Sequence, residues 1–178
     1  VLCNSMKAAE ARQVGPHIAA LALATDDTAA ANERGQFLRA TTVAEGRGPE
    51  SADSTAVESP DGTAIFFTKL ADNPEHWEQA YDALTDDADV SALPGLRLDG
   101  VSISQPFDHF DEAALFFRSV LGLTTHEDVE VPATYGLFRS RSMVNADRSV
   151  RVTVTVALLD NTLASADESR KNSIAFEV

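Results

Sequence analysis

The chain has 178 residues, of which 28 are acidic and 14 are basic, so its net charge at pH 7 is −14. This charge repels nucleic-acid phosphates and anionic membrane surfaces, and neither is an expected partner. The apolar fraction of 44% is enough for a packed core, yet no stretch approaches the roughly 20 apolar residues that a membrane helix needs. The single cysteine, Cys3, has no internal disulfide partner, which is typical of a cytoplasmic protein.

The two ends of the chain predict that it is part of a longer protein. Val1 is not an initiator methionine, no signal peptide follows it, and Val178 lies inside an apolar run. We therefore expect a share of the whole protein's function to lie outside these residues.

The first half of the chain predicts one β-α-β-β-β unit. The apolar run at 18–24 favours a buried strand, and Thr25 or Asp26 is expected to cap a helix over 28–34 that Gly35 ends. Further strands are predicted at 37–43, 55–57 and 64–67, the last of these after a tight turn at residues 60–62.

A helical pattern separates the two halves. Trp77, Tyr81 and Leu84 recur at the i, i+4, i+7 spacing of one helix face, and an acidic segment follows at 86–89. We interpret residues 73–93 as a helical linker between a first module within 1–72 and a second module within 94–178.

The second half repeats the same order of elements. A strand is predicted at 96–104, then a helix that Asp108 caps and that runs through Leu121 to a stop at Gly122. The phenylalanines of this segment are expected in the core: Phe107, Phe110, Phe116 and Phe117. Strands at 129–132, 135–143 and 150–158 complete the unit, so the sequence predicts an α+β fold of repeated βαβββ modules.

Several segments resemble one known family. Residues 99–106 (DGVSISQP) and 110–123 (FDEAALFFRSVLGL) resemble the opening of the C-terminal module in 4-hydroxyphenylpyruvate dioxygenase-like proteins, and 136–143 and 171–178 resemble later strands of it. Residues 15–19 and 59–63 resemble a second half-module. The resemblance implies the glyoxalase, bleomycin-resistance and extradiol-dioxygenase superfold, and in particular the dioxygenase-like C-terminal region of bacterial 3-dehydroshikimate dehydratases.

The resemblance also implies where a metal would bind in an active family member. The family's first ligand is a histidine at the position of Gly100, the second is a histidine at the position of Ser173, and the third would fall beyond Val178. Two imidazoles and a carboxylate are the set that holds Fe(II). This segment is therefore expected to have no catalytic residue, no metal ligand and no cofactor.

Asp99 and His17 are the two candidate substitutes for these ligands. Asp99 precedes Gly100, but strand alternation is expected to turn its side chain to the opposite face. His17 stands where the family keeps a ligand, and it is either a metal ligand or an ordinary hydrogen-bonding residue at a strand start. We favour the second interpretation.

Other basic side chains have simpler interpretations. His76, His109 and His126 are expected on the linker helix, at a helix entry and in a loop, where they are solvated or cap a helix. Arg139 and Arg141 share one strand face and would either bind a small carboxylic acid or form an ordinary ion pair. Arg151 of the next strand is expected to join that face.

Three functions remain open at this point. By resemblance, the chain is a degenerate, non-catalytic portion with a structural, oligomerisation or ligand-sensing role. A fused barrel with its own divalent metal would then convert 3-dehydroshikimate to protocatechuate. Alternatively, it is an active metal-dependent dioxygenase or glyoxalase-type enzyme, or a module that binds a small acid. A homo-oligomer is expected because an unpaired βαβββ unit leaves a sheet edge and face uncovered.

Overall fold

In the computed structural model the described residues are 18, 20–43, 56–69, 97–133, 136–160 and 172–177. The chain divides into two compact units, one within residues 1–88 and the other within 89–178. The predicted linker helix at 73–93 lies outside the described residues, and so do His17 and His76. The domain boundaries drawn from the sequence therefore stay a prediction.

The first unit contains one helix and a four-stranded sheet. Its elements are β1 (Ala20–Thr25), α1 (Thr28–Phe37), β2 (Thr41–Thr42), β3 (Ala56–Glu58) and β4 (Ala64–Lys69). The strand order is β1-β4-β3-β2, with β1 parallel to β4 and the other pairs antiparallel. The predicted β-α-β-β-β order is confirmed for this unit.

The boundaries of α1 differ from the prediction at both ends. Asp27 is the N-cap, because its carboxylate accepts a hydrogen bond of 2.9 Å from the backbone N–H of Ala30. Gly35 is buried inside the helix and does not end it, and the left-handed residue beyond the helix is Arg39, with φ of 57°. Phe37 therefore belongs to the helix and not to the following strand.

The second unit contains one helix and a five-stranded sheet. Its strands are β5 (Arg97–Ser104), β6 (Thr124–Ala133), β7 (Gly136–Val144), β8 (Arg151–Asp160) and β9 (Ser173–Glu177). A 3-10 turn (Phe107–His109) leads into α2 (Phe110–Ser119). The strand order is β6-β7-β8-β5-β9, with β5 parallel to β8 and the other neighbours antiparallel. The second unit thus repeats the order of the first and adds β9, which confirms the α+β fold.

The core of the second unit lies between α2 and one face of the sheet. Phe110 and Phe117 of α2 are buried, and the sheet residues beneath them are also buried: Ile103, Met143, Val152, Val154 and Val156. Phe116 is half-buried and packs edge-on against Phe117, with ring centroids 5.4 Å apart. Phe107 is 70% exposed, so its assignment to the core was wrong, because it lies on the 3-10 turn and outside the helical repeat.

The start of α2 also differs from the prediction. Asp108 lies within the 3-10 turn, and the N-cap position is held by His109, whose side chain makes no capping hydrogen bond. The helix ends at Ser119, and Gly122 turns the chain three residues later, with φ of +68°.

No helix in the described part of the chain has the length and hydrophobicity needed to cross a bilayer. The expected cytoplasmic location stays a prediction.

Candidate functional site

The sheet of the second unit has two chemically different faces. Side chains alternate along each strand, and residues that pair across strands share a face. One face carries the apolar side chains under α2. The other carries a continuous line of polar residues, one from each strand, which we call the polar row: Ser173, Ser102, Thr153, Ser142 and Glu127.

A pocket of about 180 Å³ lies on the polar face, and we call it the Arg151 pocket. Its lining includes four members of the polar row together with residues from the adjoining positions of each strand: Asp99, Gly100, Val101, Ser102, Glu127, Ser140, Ser142, Arg151, Thr153 and Ala175. Thr153 and Ser142 contact each other through their hydroxyls at 3.3 Å. The pocket therefore combines one guanidinium, two carboxylates and four hydroxyls.

Gly100 lies at the closest approach between β5 and β8. A Cβ atom at this position would be 2.8 Å from the carbonyl oxygen of Arg151 and 2.9 Å from its Cβ. These distances are shorter than non-bonded atoms tolerate, and one of the two atoms belongs to the backbone. Any side chain at position 100 would therefore force the two strands apart.

Ser173 lies on the same face as Gly100, two strands away from Arg151. It pairs with Ser102 in the register between β9 and β5, and its side chain is exposed. The two positions that the sequence singled out as lost metal ligands are thus brought to one face of one sheet. Gly100 has no side chain and Ser173 has only a hydroxyl, so neither position offers an imidazole to a metal.

Asp99 reaches the polar face despite the expectation that alternation would turn it away. The register between β5 and β9 shifts between Leu98 and Gly100, so Asp99 lies at a bulge. Its Oδ1 atom lies 3.6 Å from Nε of Arg151. No sequence signal marked this bulge.

Arg139 and Arg141 lie on the opposite face, beside α2. Arg139 donates two hydrogen bonds of 3.1 Å to Asp128, and Arg141 donates two of 2.9 and 2.8 Å to the same carboxylate. Both guanidinium groups also lie over the ring of Phe110, at 5.2 and 5.0 Å from its centroid. The structure therefore pairs these arginines with Asp128, and their binding of a small acid stays a prediction.

The contacts with Arg139 and Arg141 lower the pKa of Asp128 from its ordinary value. The hydrogen bond from Arg139 is the largest cause that holds the pKa of Asp128 below its ordinary value, and Arg141 adds to it. The same contact raises the pKa of Arg139. Asp111, a further acceptor for Arg141 at 2.9 Å, is 80% exposed.

Arg151 does not join Arg139 and Arg141, so the expectation that it would share their face was wrong. It pairs with Val144 of β7, whereas Arg139 and Arg141 pair with Val156 and Val154 of β8. Alternation therefore sends Arg151 to the polar face. Counting residues from Arg151 to the valines of its own strand would have revealed this without a structure.

The described histidines lie outside the Arg151 pocket. His109 shares a hydrogen bond of 2.8 Å with Glu112, and this bond is the largest cause that raises the pKa of His109. His126 belongs to β6 and not to a loop, and it falls where the register with β7 shifts. Among the described residues, no group of three or more His, Cys, Asp or Glu side chains is placed to hold a metal ion.

The fold is that of the 4-hydroxyphenylpyruvate dioxygenase-type proteins, within the glyoxalase and extradiol-dioxygenase superfold. A fusion of a xylose isomerase-like TIM barrel with 4-hydroxyphenylpyruvate dioxygenase matches 93% of this chain at a TM-score of 0.67 and 23% identity, over 25% of the fusion's own length. A variant of 4-hydroxymandelate synthase from Streptomyces coelicolor matches 85% of this chain at a TM-score of 0.63 and 15% identity, over 43% of its own length.

The sequence is similar to 3-dehydroshikimate dehydratase from Pseudomonas aeruginosa, with 29% identity over 170 residues, and to that of Pseudomonas putida, with 28%. The matched region is 92% of this chain, yet the chain spans only about a quarter of the length of these curated relatives, 26% in each case. No model of a known protein family matches the chain. The resemblance inferred from the sequence is confirmed by these relatives.

Proposed function

We propose that this chain is the dioxygenase-like portion of a longer 3-dehydroshikimate dehydratase and that it supports the enzyme without carrying out a metal-dependent reaction itself. In this proposal a separate barrel converts 3-dehydroshikimate to protocatechuate with a divalent metal of its own. The present chain contributes stability, association between subunits or ligand sensing. The relatives support the first part, because the similarity covers nearly all of this chain and a quarter of theirs.

The observation that carries the non-catalytic part is the contact between Gly100 and Arg151. The fold family implies a metal held by histidines on this face, but a Cβ at position 100 would lie within 3 Å of both the carbonyl oxygen and Cβ of Arg151. An imidazole does not fit there unless β5 moves away from β8. The guanidinium of Arg151 beside this position adds a positive charge, which opposes the binding of a cation.

A role in association is supported by apolar side chains around β9. Leu98, Ile174 and Phe176 are 55%, 52% and 54% exposed within the described part of the chain. Exposed apolar side chains of this size on an edge strand and its neighbour are typical of surfaces that contact another element or subunit. The expected partners are the fused barrel and a second copy of the chain.

Deletion of residues 1–178 from the full-length protein tests this proposal. We expect the remaining barrel to keep the dehydration chemistry, measured by the appearance of protocatechuate, and to lose thermal stability or change its oligomeric state. Turnover, melting temperature and mass in solution that all stay unchanged would refute a supporting role.

Metal analysis tests the non-catalytic part separately. The purified chain is incubated with Fe(II), Mn(II), Co(II) or Zn(II) and desalted, and its metal content is measured by elemental mass spectrometry. We expect no stoichiometric metal. One metal per chain, together with turnover of an aromatic 2-oxo acid or a glyoxalase substrate, would favour an active enzyme of the same superfold.

A further inference from the structure

A groove on the helix side of the second sheet has apolar walls and an acidic rim. It lies between the 3-10 turn that leads into α2 and the strands β7 and β8, and its volume is about 260 Å³. We name it the Phe107 groove after the residue at its mouth. We propose that the Phe107 groove docks a protein segment in which an arginine is flanked by apolar residues. This inference uses only residues of the second unit and does not rest on the proposed function.

The apolar part of the groove is the first argument. Phe110 and Val156 line its floor and are each 3% exposed, and Leu158, which also lines the groove, is half-buried. Phe107 lines the mouth and is 70% exposed, more than any other large apolar side chain described in the second unit. An aromatic ring held in water above an apolar floor favours a partner that covers it, because contact removes both surfaces from water. The occupant therefore needs apolar residues.

The carboxylates of the rim are the second argument. Asp108 and Asp111 line the groove, and their side chains are 79% and 80% exposed. The ion-pair contact of Asp108 within the described part of the chain is His109 at 3.8 Å, which is too far for a hydrogen bond. Asp111 accepts a hydrogen bond of 2.9 Å from Arg141. Since a carboxylate can accept about four hydrogen bonds, both side chains retain acceptor positions for a partner.

The net charge around the groove sets the sign of the occupant. Arg139 also lines the groove, but it already donates two hydrogen bonds of 3.1 Å to Asp128. Arg141 is shared between Asp128 and Asp111. Asp108, Asp111 and Asp128 thus face two guanidinium groups, which leaves one negative charge, and the whole chain carries −14. A cationic side chain is attracted by this charge, and an anionic one is repelled.

The same region of the sheet shows why the cation is an arginine. The guanidinium groups of Arg139 and Arg141 lie over the ring of Phe110, 5.2 and 5.0 Å from its centroid, and bind carboxylates at the same time. A guanidinium combines a flat face for an aromatic ring with several N–H donors for carboxylates, whereas an ammonium lacks the flat face. A partner arginine over Phe107 would repeat this arrangement, with Asp108 as its acceptor.

A titration followed by nuclear magnetic resonance tests the inference on the purified, isotope-labelled chain. The probe is a peptide with blocked ends and the sequence Ala-Leu-Arg-Leu-Ala. Its control carries citrulline, which keeps the shape of arginine without the charge. We expect saturable shifts of the backbone amides at residues 107–111 and about fivefold weaker binding of the citrulline peptide. No saturable shift at these amides, or equal affinity for the two peptides, would overturn the proposal.

Phe107→Ser and Phe37→Ser form the first matched pair of variants. Both phenylalanines are highly exposed, at 70% and 85%, but Phe37 ends α1 of the first unit and lies outside the groove. Loss of the aromatic ring should weaken peptide binding at least about tenfold in Phe107→Ser. Phe37→Ser should bind as the unmodified chain does. An equal loss in both variants would mean that the peptide adheres to any exposed ring, which would refute the site.

Asp108→Asn and Glu33→Gln form the second pair, which isolates the charge of the rim. Each variant loses one exposed carboxylate, and Glu33 belongs to α1 of the first unit. We expect about threefold weaker binding in Asp108→Asn and no change in Glu33→Gln. An equal loss in both would trace the binding to the overall charge of the chain and count against the groove.

A second copy of the chain is the competing occupant. Sedimentation of the chain over a range of concentrations distinguishes it, and we expect Phe107→Ser to leave the oligomeric state unchanged. A dimer that Phe107→Ser dissociates and Phe37→Ser does not would place a second copy in the groove and overturn the proposal. These experiments are independent of the deletion from the full-length protein, so the two proposals fail separately.

Discussion

A Cβ atom on Gly100 would lie 2.8 Å from the carbonyl oxygen of Arg151, which makes the glycine a condition for the contact between β5 and β8. The stem of Arg151 lies beside the same position, with its Cγ 3.2 Å from where that Cβ would be. The absence of a side chain at position 100 thus makes room for the arginine stem of the neighbouring strand.

Gly100→Ala should destabilise the chain because the added methyl group has no space. We expect the free energy of unfolding to fall by about 1–3 kcal/mol, the usual cost of overpacking. Urea denaturation followed by circular dichroism measures it. Ser102→Ala, on the same strand and face, removes an atom and should cost less than about 1 kcal/mol; an equal loss in both variants would contradict the steric explanation.

Asp128→Asn should destabilise the chain by about 1 kcal/mol at pH 7, because the charge that holds Arg139 and Arg141 is lost. This value is discounted for solvent screening, since the side chain of Asp128 is 35% exposed. Asp111→Asn removes a carboxylate that is 80% exposed and should change the stability by less than about 0.5 kcal/mol.

The effect of Asp128 should depend on pH in one direction. Its pKa is lowered from the ordinary value of 3.8, so the stability it contributes is present above that value and is lost as the pH falls through the folded-state pKa. The difference in stability between the unmodified chain and Asp128→Asn should therefore shrink as the pH falls below 3.8, and it should vanish only below the lower folded-state pKa. A difference that grows on acidification would contradict the ion pair.

Phe117→Ala should be the most destabilising of these substitutions. Phe117 is fully buried between α2 and the sheet, and truncation of a buried phenylalanine costs about 3–5 kcal/mol. Leu115, two residues earlier on the same helix, is 63% exposed, and Leu115→Ala should cost no more than about 0.5 kcal/mol. Thermal unfolding of both variants checks the orientation of α2, and similar melting temperatures would contradict it.

Gly62→Ala should destabilise the turn between β3 and β4. Gly62 has φ of +89°, and its N–H donates a hydrogen bond of 2.9 Å to the carbonyl of Ser59. A residue with a Cβ in this conformation costs about 1–2 kcal/mol, and asparagine tolerates it better than alanine does. Gly62→Asn should therefore be more stable than Gly62→Ala in urea denaturation, and the reverse order would argue against a left-handed turn.

The sequence by itself determined the order of the elements and the residue types at positions 100 and 173. Alternation of valines with polar residues in β8, helical spacing in α2 and the turn at Gly62 are local patterns, so they predicted both β-α-β-β-β units. The glycine at position 100 and the serine at position 173 were visible as residues without an imidazole. The ends of α1 and the exposure of Phe107 could not be predicted from the sequence, because burial and capping geometry override local preference.

Only the tertiary structure decided which polar residues meet. The five members of the polar row come from five strands, and Ser102 lies 71 positions from Ser173 in the chain and yet pairs with it. A bulge at Asp99 brings that carboxylate to Arg151, and the register between β6 and β7 pairs Asp128 with Arg141 on the other face. Strand register sets such neighbours through hydrogen bonds between distant segments, and a shift of one residue moves every side chain to the opposite face.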